Sequence, residues 1–169
     1  MTKPTAAGPS EAAWQSEVFG LLRFYGWRYF HGADNRPVVT GRGRAGRQHV
    51  GDKGFPDVVA TRRLAGLGPE LVIAELKTDT GRYGPGQEDW LADLGAFAEL
   101  TMYALNTIAR MNAAQVDAGV APAEDRIEPD ELPAIGVYTW RPADRGDVER
   151  ILAGPAGVNA IPQGGRLRL

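Results

Sequence analysis

Two short apolar runs near the middle of the chain constrain its fold most. GFPDVVAT begins at Gly54, and LVIAELK covers Leu71 to Lys77. Both are rich in β-branched residues, too short for typical helices and bounded by turn formers, so both read as strands, the second one buried. Side chains alternate across a strand, which sends Glu75 and Lys77 to one face and Leu76 into the opposite layer, its carbonyl level with the acid. If the two strands are neighbours, Asp57 near the start of one approaches Glu75 near the end of the other. Two carboxylates and a backbone carbonyl then surround one point.

Those are hard oxygen donors, and they suit Mg²⁺, with Mn²⁺ able to substitute, because such an ion takes one or two carboxylates and keeps several waters. An ion held by Asp57, Glu75 and the Leu76 carbonyl could polarise a phosphoryl oxygen and acidify a bound water. The Lys77 ammonium would stabilise hydroxide or the charge growing on phosphate. The reaction implied is phosphodiester hydrolysis. Alone, a Pro-Asp pair is usually a turn and an E-x-K triplet usually a solvated edge. Here GFPD, then Glu75-Leu76-Lys77 eighteen residues after Asp57, then GRYGPGQEDWL arrive in order.

That ordered set resembles the PD-(D/E)xK nuclease superfamily, and within it the VRR-NUC branch, which includes phage proteins described as Holliday-junction-resolvase-like. GWRYFHGADNR upstream and VYTWRPADRGDVERIL downstream extend the resemblance over most of residues 10–153. It implies a restriction-endonuclease-like α/β core: a helix, a three-stranded meander, a crossover helix and a fourth strand, making a four-stranded mixed sheet flanked by helices. It also implies that Gln87 orients a metal-bound water or Lys77, that Glu17 on the first helix completes the metal site, and that His31 contacts phosphate or water. The expected function is a Mg²⁺-dependent nuclease selective for DNA junctions, flaps or ends. The alternative is a catalytically inactive DNA-binding or assembly protein on the same fold. Resolving a junction takes two cuts and would favour a homodimer.

The chain departs from the family between about residues 97 and 133. There the helix that starts at Pro85 keeps apolar spacing through Leu94, Ala98, Met102, Leu105 and Ile108 to about Val116, before APAEDRIEPDELP breaks it. This helical and acidic insertion could bury itself on the core, pair with another copy or cover the substrate. Residues 1–9 and 154–169 read as tails around a single nuclease domain, residues 10–153.

On the first helix, capped by Ser10, the apolar stripe is Trp14, Val18, Leu21, Leu22 and Tyr25, with Glu17 on the same side. Trp90 is expected in the core with Leu91 and Leu94. Gly41, Gly43 and Gly46 match a dinucleotide fingerprint formally, but no helical pattern follows them, so nucleotide binding is rejected.

Composition decides where DNA could bind. The net charge of −2 is unsuited to a general nucleic-acid coat. Between Arg36 and Arg63, however, seven basic residues face two acids, leading into the proposed site. Arg36, Arg42, Arg44, Arg47 and Lys53 are therefore candidate phosphate contacts, with a solvated linker as the equal alternative. No cysteine is present, ruling out disulfides and thiolate metal sites. Without an apolar leader or a run long enough to span a bilayer, the expectation is a cytoplasmic protein, in the host cytoplasm if phage-encoded.

Overall fold

A computed structural model describes residues 8–32 and 53–154. Within them the chain is an α/β protein: a four-stranded mixed sheet with three α-helices. The order is α1 (Glu11–Phe24), β1 (Arg28–His31), β2 (Val58–Arg63), β3 (Pro69–Leu76), α2 (Gln87–Asp117), β4 (Ala134–Trp140) and α3 (Arg145–Ala153). Strands β1, β2 and β3 form the antiparallel meander, and β4 lies parallel to β3 as the far edge. No described helix is long and apolar enough to cross a membrane.

Helix α1 begins where Ser10 Oγ accepts the Ala13 N–H at 3.2 Å, supplying one of the partners that a helix start lacks. It buries Trp14, Val18 and Leu22, with Leu21 and Tyr25 packed at the margin. Gly26, at φ 75°, turns the chain into β1. The same layer receives Val148, Ile151 and Leu152 of α3, and both helices cover the sheet face formed by Val58, Ala60, Val72, Ala74, Leu76, Ala134 and Trp140. Two buried indoles are satisfied by backbone carbonyls: Trp14 Nε1 donates to Trp140 O at 3.1 Å and Trp27 Nε1 to Leu152 O at 3.0 Å. Arg62, also buried, lies over the Trp27 ring and joins Glu70 at 2.5 Å while donating to the Leu152 and Gly154 carbonyls.

Helix α2 covers the other face. It packs on β4, and its first residue reaches Glu75, whose side chain points away from Ala74 and Leu76. Its length of 31 residues corresponds to about 46 Å. Only Leu91, Ala98 and Ala109 of it are buried, so the expected stripe is only partly used: Leu94, Met102 and Leu105 are half-buried and Ile108 is exposed. The return to β4 is strapped down at two points. The Asn112 side chain donates to Asp125 O and accepts from Ile127 N. Gly68, in the β2–β3 turn, donates to Asp130 O at 2.9 Å, and a Cβ there would lie 2.1 Å from Leu132 O.

Candidate active site

Register builds the site. Val58 pairs with Ala74 in the β2–β3 ladder, so the next step along sets Asp57 opposite Glu75, both on the face away from that buried pair. Pro56, which has no N–H, ends the ladder. The Asp57 carboxylate takes over, with Oδ2 accepting the Leu76 N–H at 2.9 Å. A strand residue directs its N–H and C=O toward the same edge, so the Leu76 carbonyl also faces the Asp57 side. The Leu76 side chain lies in the opposite layer, 1% exposed.

Glu75 is fully buried. Its Oε1 receives the Lys77 ammonium at 2.5 Å and the Gln87 side-chain N–H. Its Oε2 is buried without a hydrogen-bond partner among the described residues. Burial pushes the Glu75 carboxyl up, the Lys77 hydrogen bond pulls it down, and the charge of Asp57 pushes it up again, to about 7. Lys77 is itself buried, and its backbone N–H is held by Trp140 O at 3.0 Å.

Gln87 is aimed by its own amide. Oε1 accepts the Gly84 N–H at 2.6 Å, so Nε2 must face Glu75. The start of α2 is placed by two glycines packed backbone to backbone. A Cβ on Gly54, at φ 92°, would lie 2.5 Å from Gly86 C and 2.6 Å from Gln87 N; one on Gly86, at φ 80°, would lie 2.6 Å from Lys53 O. Only glycine accepts both the conformation and the approach. The strand entrance carrying Asp57 and the helix start carrying Gln87 are thereby clamped together. Trp90 is half-buried at this junction, edge-on to Phe55 with ring centroids 5.1 Å apart, rather than in the core.

His31 lies beside the acids without pointing a free nitrogen at them. Its Nδ1 is 2.9 Å from the Asp57 carbonyl, which can only accept, so Nδ1 carries the proton and Nε2 accepts from Gln15 Nε2 at 3.3 Å. Both ring nitrogens thus have partners within the chain, and this histidine pins the backbone of Asp57. Glu17 is a correction. Its Oε1 pairs with Arg145 Nε at 2.5 Å on the partly exposed α1–α3 surface. Among the described residues no group of three or more His, Cys, Asp or Glu side chains converges, so Glu17 does not join Asp57 and Glu75. Lys53 is exposed at the edge of the site, and Arg36, Arg42, Arg44 and Arg47 lie outside the described residues.

Three residues near the site were not singled out by the sequence. Thr139 is the register partner of Glu75 in β4, and its Oγ1 is 2.7 Å from the Tyr83 hydroxyl. Arg141 Nη1 holds the loop after Lys77 through the carbonyls of Thr78, at 2.5 Å, and Gly81, at 3.0 Å. Tyr83 sits within GRYGPG, where an aromatic among glycines was the available signal; Thr139 and Arg141 offered none beyond their places at the end of β4.

The donor set fits a divalent ion. Two carboxylates share one face, one of them has an oxygen without a partner, and a backbone carbonyl faces the same side, within the one or two carboxylates that Mg²⁺ usually takes. Compared with known proteins, the chain matches no family model, no curated protein and no solved structure.

Proposed function

We propose that this chain is a divalent-metal-dependent nuclease with a restriction-endonuclease-like core, of the PD-(D/E)xK type and its VRR-NUC branch, hydrolysing DNA phosphodiester bonds at junctions, flaps or ends. The observation that carries the reading is Glu75: a fully buried carboxylate with one oxygen unpartnered, set against a second carboxylate, an ammonium and an amide. Burying such a group without compensation is costly, and a cation between the acids offsets that cost.

Asp57, Glu75 and the Leu76 carbonyl would hold the ion, Mg²⁺ or Mn²⁺. When bound, it supplies a water of lowered pKa and a Lewis acid toward a phosphoryl oxygen. The protein's own groups do the rest. Lys77, fixed by Glu75 and by its backbone bond to Trp140, offers a positive charge to the anionic phosphate as negative charge builds on it. Gln87, preset by Gly84, keeps the Glu75 carboxylate oriented. Basic residues leading into β2 suit the phosphate backbone, and no described helix presents a basic face for reading bases, which favours recognition of DNA structure over sequence.

The test is digestion of junction, flap and linear DNA with Mg²⁺, Mn²⁺ or EDTA, wild type beside Glu75→Gln. Cleavage that needs the metal and is lost in the variant supports the proposal. Metal-dependent cleavage retained in the variant removes Glu75 from the reaction, and DNA binding without cleavage under every condition favours a non-catalytic binding protein.

A further inference from the structure

Helix α2 carries a second apolar stripe that no other described element covers. Phe97, Leu100, Ala104, Ile108 and Met111 are all exposed, the four large ones between 53% and 68%. Their spacing of three, four, four and three residues keeps them on one side of the helix. That side is not the one on the sheet: Ala98, which is buried, follows Phe97 by one residue and so lies about 100° round the helix. Tyr103, 67% exposed, borders the stripe.

The stripe is symmetric about its smallest member. Phe97 and Met111 each lie seven residues from Ala104, and Leu100 and Ile108 each lie four. A two-fold axis through Ala104 therefore matches the stripe to itself when a second helix runs the other way: Phe97 meets Met111, Leu100 meets Ile108, and the two Ala104 residues meet at the crossing, where their small size lets the backbones approach. Charge favours this direction. The first half of α2 carries Glu88, Asp89, Asp93 and Glu99, whereas the second half carries Arg110 and Asp117, which cancel. An antiparallel pair brings Asp93 level with Gln115 and sets the acidic half of one helix beside the nearly neutral half of the other, and it opposes the helix dipoles. A parallel pair would stack the acidic ends together.

Area also fits. The exposed surface of Phe97, Leu100, Ile108 and Met111, with that of Tyr103 at the border, is at most roughly 600 Å² per protomer, about 1,200 Å² in all if wholly covered, the size at which a specific stable interface begins. We infer that α2 is a homodimer interface in which a second copy of this chain docks antiparallel along Phe97, Leu100, Ala104, Ile108 and Met111. The inference stands on the stripe alone and does not depend on the nuclease reading.

The chain has no native cysteine, so single cysteines report the geometry directly. Helices packed 8–10 Å apart bring facing Cα atoms within disulfide range at a two-fold axis. Ala104→Cys should oxidise to a covalent dimer, whereas Phe97→Cys should not, since Phe97 faces Met111. The wild-type protein should sediment at twice its 18.2 kDa at micromolar concentration. Leu100→Arg with Ile108→Arg should sediment at 18.2 kDa with the far-UV circular dichroism of the folded protein. A monomeric wild type, as when another stretch of the same chain covers the stripe, overturns the inference. So does a dimer that survives the double arginine variant, or cross-linking of Phe97→Cys as fast as Ala104→Cys.

Discussion

At the scale of single residues, Glu75 links stability to pH. Its carboxyl titrates at about 7 in the fold against an ordinary value of 4.5. Between those values the folded chain keeps a proton that the unfolded chain releases, so the contribution is present below 4.5 and is lost as pH rises toward 7, amounting to roughly 3 kcal/mol. Urea denaturation in EDTA across this range should show wild type losing stability relative to Glu75→Gln as pH increases; parallel curves would contradict the assignment. Asp57→Asn keeps an oxygen for the Leu76 N–H while removing the neighbouring charge, so Glu75 should titrate lower, as read by NMR of ¹³C-labelled glutamate. A divalent ion needs the ionised form, so Mn²⁺ affinity by calorimetry should fall as the pH drops below about 7. That Glu75 and Lys77 share a face was legible because strand alternation is a local rule; Asp57 joins them only because β2 pairs with β3, and Gln87 was expected from the family resemblance. The place of Glu17 was not legible, because its partner Arg145 is 128 residues away. His31 was half legible: its place was, while its bond to the Asp57 backbone depends on the β1–β2 register.

At the scale of elements, the pair Gly54 and Gly86 should matter more than glycines in open turns. Gly54→Ala forces a Cβ against the backbone at the start of α2 and should cost roughly 1–3 kcal/mol while shifting the Gln87 side-chain amide resonance. Gly66→Ala, also at positive φ but with open space around its Cβ, should cost about 1 kcal/mol and leave that resonance in place. Urea melts and a ¹⁵N spectrum of each variant check both. Across the sheet, Arg62→Met would leave Glu70 buried without its ion pair and should destabilise by about 3–5 kcal/mol in the same melts. The strands and α1 followed from their apolar periods and caps. The length of α2 was legible too, with its end expected near Val116 and observed at Asp117. Which side of it would meet the sheet was not, because the helix carries two apolar stripes and only the position of β4 selects between them.

At the scale of the molecule, β3 and β4 are neighbours in the sheet but bracket a long excursion, from Leu76 to Ala134. The antiparallel hairpin of β2 and β3 closes a short loop, whereas the parallel pair closes a long one, so the hairpin should form first. Val58→Ala should therefore slow folding, and Ile151→Ala in α3 should chiefly speed unfolding, as read by stopped-flow fluorescence; the reverse pattern would contradict this order. One atom ties the late strand to the site: the Trp140 carbonyl accepts both the Trp14 indole and the Lys77 backbone N–H. During synthesis the acidic residues leave the ribosome well before Trp140 does. Until it follows, the Lys77 N–H and the Trp14 indole both lack their acceptor, so the hairpin bearing the two acids emerges before the strand that fastens it to α1.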